Sequence, residues 1–269
     1  RVKIVRISRE GDTNTFSILR SKELMDIWKD PLLKHSNILT SLFHKSVVLC
    51  ESDSDCKLYS IILDRMKQKE GKYSETLFIH CGGKHRMAKT AYALRSLNID
   101  VKLITDIDVL DNETVFKGIT KVFGIEWSGL SQDYNILNSN VINPSNKIDR
   151  IKLRKDITAI IDSKSAKDVS AEELKQISSL IKHTSAWTAL KNGGVAAIPR
   201  GDAFAAWIRI DKLLRGHSIF IVPVGELESF IKSVGGHGPE WVNNVLEQYS
   251  NPDDSAYEQI KDFISTLCL

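Results

Sequence analysis

The stretch VVLCESDSDCKLY, residues 47–59, decides how this chain is read. Its opening residues are continuously apolar, as a strand buried on both faces of a sheet requires. Three carboxylates, Glu51, Asp53 and Asp55, follow at the point where the pattern turns helical. Acids in a first helical turn complement the helix dipole, which suits Asp55. Asp53 reads as the N-cap. Glu51 stands at the end of the strand itself.

Working outward, the pattern repeats as strand then helix. Strands are expected at 46–50, 76–80 (TLFIH) and 101–105 (VKLIT), with helices at 54–69 and 84–97. Leu58, Ile62 and Met66 recur at helical spacing, as do Met87, Ala91 and Leu94. Strands alternating with single helices imply parallel βαβ units. Upstream, residues 2–8 and 15–19 alternate around the turn-rich REGDTN and read as a hairpin, and 21–43 read as helical with an interruption at Pro31. Downstream the strand signal fades over 112–214. NKIDRIKLRKDITAIIDS and SAEELKQISSLIKH are amphipathic there, the second opening on a Ser170-x-x-Glu173 capping box. HSIFIVPV at 217–224 returns to a buried strand, followed by the helical patterns ELESFIKSV, PEWVNNVLEQY and DSAYEQIKDFISTLCL. The expected division is a lead-in over 1–44, an α/β domain formed by 45–111 with 215–269, and a helical insertion over 112–214.

With 269 residues, 42% of them hydrophobic, the chain is long enough for a sizeable core. A formal charge of +3 gives no global field to pull it onto nucleic acid, so any such binding must come from local patches. Cys50, Cys56, Cys81 and Cys268 show no C-x-x-C spacing, which fits reduced thiols and a cytoplasmic setting better than a zinc site or disulfide framework. No apolar run approaches a membrane span, and no signal-peptide pattern opens the chain. Arg1 begins inside a strand pattern, which suggests an upstream module.

In parallel α/β sheets the carboxyl ends of neighbouring strands line one edge, where ligands bind. Glu51 lies at one such end, and Asp106 and Asp108, in VKLITDIDVL, lie at another. Alternation turns the last two to the same side. With Asp55, four acids converge. Their mutual repulsion is tolerable with a cation among them, and an oxygen-only donor set points to Mg²⁺ or Mn²⁺.

A Glu ending one strand, an Asp-x-Asp ending a later parallel strand, and a GGK (Gly82, Gly83, Lys84) opening the helix between them resemble the Toprim fold. VVLCESDSDCKLY, HCGGKHRM, ITDIDVL and IFIVPVGELES are most similar to the carboxyl-terminal Toprim region of overcoming lysogenization defect (OLD) family ATP-dependent nucleases, over roughly 45–111 and 216–245. The resemblance implies an α/β, Toprim-like parallel βαβ sheet with a helical insertion and a short N-terminal hairpin. One departure is Ser52, where Toprim domains usually carry Gly. The resemblance further implies a second-metal carboxylate at Glu228, with Glu226 the alternate. It also places a basic group downstream of the last acidic motif, where GGHGPEW offers His237, with Lys232 one helical turn away. Gly82, Gly83, Lys84 and Arg86 are candidates for phosphate binding, since glycines before a helix let backbone approach phosphate. Trp241 reads as core.

Together these residues imply two-metal phosphodiester hydrolysis, one ion on Glu51, Asp55 and Asp106 and the second on Asp108 and Glu228. No tyrosine-bearing strand-passage module or zinc module is visible, which disfavours a topoisomerase or primase. The expectation is a metal-dependent DNA endonuclease acting on duplex DNA, paired with an ATPase domain or subunit in antiviral defence and working as a homo-oligomer. The alternative is an inactive Toprim-like assembly or sensing module. No G-x-x-x-x-G-K-[ST] sequence occurs, so the ATPase would lie elsewhere. Lys84, Arg86 and the RIKLRK stretch (Arg150, Lys152, Arg154, Lys155) are the candidates for a basic rim.

Overall fold

A computed structural model describes residues 4–19, 40–44, 46–96, 98–145, 150–162, 168–182 and 186–267, with Met25 and Lys29. Two sheets are present among the described residues. The first is a hairpin of β1 (Ile4–Glu10) and β2 (Thr13–Leu19). The second contains β3 (Ser46–Cys50), β4 (Thr76–His80), β5 (Asp100–Thr105) and β6 (Ile219–Ile221), parallel throughout and ordered β4-β3-β5-β6. β3 and β5 are central, and they carry Glu51 and the Asp-x-Asp at their carboxyl ends. The mixed α/β fold with a parallel sheet and an N-terminal hairpin is therefore as the sequence implied.

Ten helices accompany the strands among the described residues: α1 (Asp53–Lys69), α2 (Lys84–Arg95), α3 (Glu113–Val122), α4 (Trp127–Ser145), α5 (Arg150–Ile161), α6 (Ala171–Lys182), α7 (Ala186–Gly193), α8 (Asp202–Gly216), α9 (Pro239–Gln248) and α10 (Glu258–Ser265). Strand alternation sorts the core into two halves. Val47 and Leu49 of β3, Val101 and Leu103 of β5, and Ile219 and Ile221 of β6 face a layer containing Met87 of α2, Phe116 of α3, Tyr134 of α4, Leu190 of α7 and Ile210 of α8. Val48 and Cys50, Ile104, and Phe220 face the opposite layer, with Tyr59 of α1, Trp241 of α9 and Phe263 of α10. The 112–214 segment thus shares one core with the sheet: Tyr134 of α4 donates its hydroxyl to Leu110 O (2.8 Å), just beyond the Asp-x-Asp.

Local expectations met three corrections. The N-cap of α1 is Ser52, and Asp53 is the first helical residue: a hydroxyl reaches the N3 amide as readily as a carboxylate does, and here the reciprocal partner at N3 is Asp55. ELESFIKSV is not a helix; Leu227–Phe230 make one 3₁₀ turn and Ile231 leaves helical geometry, because Leu227, Phe230, Ile231 and Val234 all turn into the core. β6 covers only 219–221, pairing with β5 over Leu103–Thr105. The Ser170–Glu173 capping box is present, Ser170 N–H donating to Glu173 Oε2 (2.7 Å) and Glu173 N–H to Ser170 Oγ (3.3 Å). The helical reading of 21–43 lies outside the described residues apart from Met25 and Lys29, both helical, and a 3₁₀ turn at Thr40–Phe43; Cys268 lies outside them. Cys50, Cys56 and Cys81 are free and buried. Among the described residues no helix is long and apolar enough to cross a membrane.

Candidate metal centre at the sheet edge

All four parallel strands deliver residues to one edge: Glu51 from β3, Gly82–Lys84 from β4, Asp106 and Asp108 from β5, and Glu226 and Glu228 from β6. Glu51, Asp106 and Asp108 each present a carboxylate oxygen, and these oxygens lie within 4.8 Å of one another. The structure thus groups Asp108, rather than Asp55, with Glu51 and Asp106. Glu51 Oε2 and Asp108 Oδ1 are buried without a hydrogen-bond partner. A buried, unpartnered carboxylate oxygen is costly, and a divalent cation supplies what these two lack, so the donor set fits a hard, oxygen-seeking ion.

The acids are held against their own repulsion. Burial raises the Glu51 pKa, and Asp108 raises it further while Lys84 opposes. Asp106 is pushed well above the usual carboxylate range, first by burial and then by Asp55 and Glu51. Asp55, 8% exposed, is raised by burial despite the hydrogen bonds it accepts at Ser52, and Glu228 adds to the rise. Asp55 Oδ2 accepts from Ser52 N–H (2.8 Å), and Asp55 N–H donates to Ser52 Oγ (3.3 Å). The three acids of the opening stretch therefore do three things: Glu51 faces the centre, Asp53 is exposed in the first turn, and Asp55 closes a capping box beneath the centre. Ser52 itself sits at φ −122°, ψ 165°, extended geometry that any residue adopts, so its replacement of the usual glycine costs no strain.

Gly82 and Gly83 have φ of 68° and 111°, a region where side chains with a Cβ are strained. Their turn lets Gly83 N–H donate to Glu51 O (3.0 Å), so it fixes the residue that carries Glu51. Lys84 Nζ lies 3.0 Å from Asp108 Oδ2 and donates to Asp108 O (3.1 Å), tying α2 to the Asp-x-Asp loop. Arg86 is exposed and donates to Gly82 O (3.0 Å). Glu228 Oε1 accepts from Gly238 N–H (2.8 Å) and pairs with His237 Nδ1 (2.8 Å). Glu228 is outside the converging triad, on the Asp55 side, and the His237 side chain is 78% exposed. Lys232 is directed away, donating to Asn192 O (2.9 Å). Trp241 is fully buried.

Two residues escaped the sequence reading. Lys191, in the last turn of α7, lies 3.2 Å from Glu226 Oε2 and 3.9 Å from Asp108 Oδ2. Asp108, Asp106 and Glu226 raise its pKa against the effect of burial, so it stays charged. The Tyr59 hydroxyl is buried with no partner, and burial with the nearby Asp55 holds its pKa well up. Lys191 has a weak sequence signal, a lysine just before the Gly193–Gly194 break of a helix; Tyr59 reads only as core.

Residues 42–108 match the family model described as overcoming lysogenization defect protein-like, TOPRIM domain. The match ends at Asp108, so it does not reach the likeness expected over 216–245, and the carboxyl-terminal placement is not borne out. No curated protein and no solved structure matches the chain.

Proposed function

We propose, from the match of residues 42–108 to the overcoming lysogenization defect protein-like TOPRIM domain, that the protein is a divalent-metal-dependent nuclease that hydrolyses DNA phosphodiesters. TOPRIM domains bind divalent metals through acidic residues, and the acidic triad is in place. The observation that carries the reading is the convergence of Glu51, Asp106 and Asp108 at the sheet edge with two buried oxygens unpartnered. A divalent cation held there would acidify a bound water and offset phosphate charge.

The chain's own residues divide the remaining work. Glu51, Asp106 and Asp108 would hold the first ion. Asp55 and Glu228, near enough for Glu228 to raise the Asp55 pKa, would be the ligands of a second. Gly82 and Gly83 set the turn that aims Glu51, and Lys84 orients Asp108. His237, paired with Glu228 and open to solvent, would exchange a proton with a leaving oxygen. We extend the proposal to duplex DNA as substrate, Mg²⁺ or Mn²⁺ as the ion, and an ATPase partner, on the strength of the resemblance alone.

The test is plasmid cleavage. Supercoiled plasmid with Mg²⁺ or Mn²⁺ is expected to be cut, and EDTA to abolish cutting. Glu51→Ala and Asp106→Ala are each expected to reduce cleavage by at least about 10³-fold, in keeping with loss of a metal ligand, while circular dichroism stays that of the wild type. Undiminished cutting in EDTA would refute the reading. The second reading, an inactive assembly or sensing module, is favoured by one observation: Lys84 and Lys191 already partner Asp108. Mn²⁺ binding without any cleavage would decide for it.

A further inference from the structure

The resemblance implies a basic group downstream of the last acidic motif, at His237 or Lys232. His237 is engaged with Glu228, and Lys232 is turned onto the Asn192 carbonyl. Besides Lys84, which is tied to Asp108, a second cation reaches the triad, and it comes from upstream of that acidic motif. Lys191 stands between Glu226 and Asp108, its side chain 35% exposed, so it touches the carboxylates and solvent at once.

Its position is set by backbone rather than by a flexible loop. Gly225, at φ 106°, packs so tightly that a Cβ there would lie 2.0 Å from Lys191 O. Gly194, at φ 59°, packs so tightly that its Cβ would lie 2.2 Å from Pro223 O. Val195 N–H donates to Pro223 O (2.8 Å), and Ile107 N–H, inside the Asp-x-Asp, donates to Gly225 O (3.0 Å). The end of α7, the turn after β6 and the Asp-x-Asp turn are therefore one backbone-tied body. Such close contact across three elements places one lysine at one point of the centre.

We propose that Lys191 is the phosphate-contacting residue of the site. With a divalent cation on the carboxylates, its ammonium exchanges Glu226 and Asp108 for a nonbridging oxygen of the phosphodiester. A cation is needed beside the developing charge, and a lysine already held by carboxylates is displaced from them when a stronger cation binds. The assignment rests on the nuclease reading for its substrate class. It differs from a purely structural role in what loss of the lysine does: a counter-ion that only holds the acids together would weaken the metal site when removed, whereas a phosphate contact leaves the metal site intact or tighter.

The experiment compares wild type, Lys191→Met and Lys191→Arg as full chains, with thermal melts to verify folding. Binding of a short phosphorothioate duplex, which resists hydrolysis, is measured by fluorescence anisotropy across a salt series in Ca²⁺. Mn²⁺ binding is measured separately by electron paramagnetic resonance. Lys191→Met is expected to lower duplex affinity, to reduce the slope of log K against log salt by about one, and to slow plasmid cleavage about 10²-fold. Its Mn²⁺ affinity is expected to equal or exceed that of wild type, and Lys191→Arg to keep the wild-type slope. A wild-type salt slope in Lys191→Met, weakened Mn²⁺ binding, or a wild type that binds no duplex would each overturn the assignment. If wild type binds duplex and the slope changes but nothing is cut, the nuclease reading alone falls; if wild type cuts and the slope is unchanged, the lysine assignment alone falls.

Discussion

Asp106 is the residue on which metal and stability meet. Burial, Asp55 and Glu51 hold its pKa well above the ordinary carboxylate value, so the fold favours its protonated form. Stability from such a group is complete below the unfolded-state pKa and is lost as pH rises through the folded one. Glu51 and Asp55 are shifted in the same direction. In EDTA, melting temperature is therefore expected to fall as pH rises out of the acid range, and the advantage of Asp106→Asn over wild type to grow with pH. Mn²⁺ should stabilise wild type increasingly over the same range, and Asp106→Asn only weakly. Melts in EDTA in which the advantage of Asp106→Asn shrinks as pH rises would contradict the electrostatics. At this scale the acids were legible, because strand ends mark their places. Ser52 was not, since a serine beside an aspartate offers two plausible caps and only the reciprocal bond from Asp55 selects between them.

Elements place the centre through backbone contact, and glycine is the requirement. Gly225 and Gly71 both have positive φ, 106° and 70°, but a Cβ on Gly71 meets nothing within 4 Å whereas one on Gly225 strikes the Lys191 carbonyl. Gly71→Ala is expected to lose only the left-handed conformational term, about 1 kcal/mol. Gly225→Ala should lose that and force α7 away, at a total of about 3 kcal/mol or more. Urea unfolding of the two variants checks this; equal losses would mean that α7 yields freely. The same contact explains what the sequence concealed. The strand–helix alternation from Ser46 to Thr105 was readable within a residue or two, because each element's period is local. Lys191 reaches Asp108 across 83 residues of chain, through a contact that only the folded backbone creates. The 3₁₀ turn at Leu227 was hidden for a related reason, as its apolar residues answer to tertiary packing rather than to a helical face.

Across the whole molecule, charge and layering set how DNA would be met. Periodicity showed which faces of the 112–214 helices are apolar but not what covers them; the structure lays α3, α4, α7 and α8 on one face of the sheet and leaves α5 without a single fully buried residue. The exposed Arg150, Lys152, Arg154 and Lys155 of α5 are thus surface charge, and the formal net charge is only +3. At the acidic edge Lys84 is held by Asp108, while Arg86 is exposed beside Gly82. Duplex binding by the chain alone is therefore expected to be weak, independent of sequence and steeply reduced by salt. Acting as a nuclease, the centre at this sheet edge would engage one strand at a time, so cutting both strands would need either two encounters or two copies. In a plasmid time course, nicked circles are expected to accumulate before linear product, and the ratio of linear to nicked product to rise with protein concentration if copies pair on DNA. Linear product appearing at once, in a fixed ratio at every concentration, would show that both strands are met within one preformed assembly, and the requirement for an encounter between copies would fall.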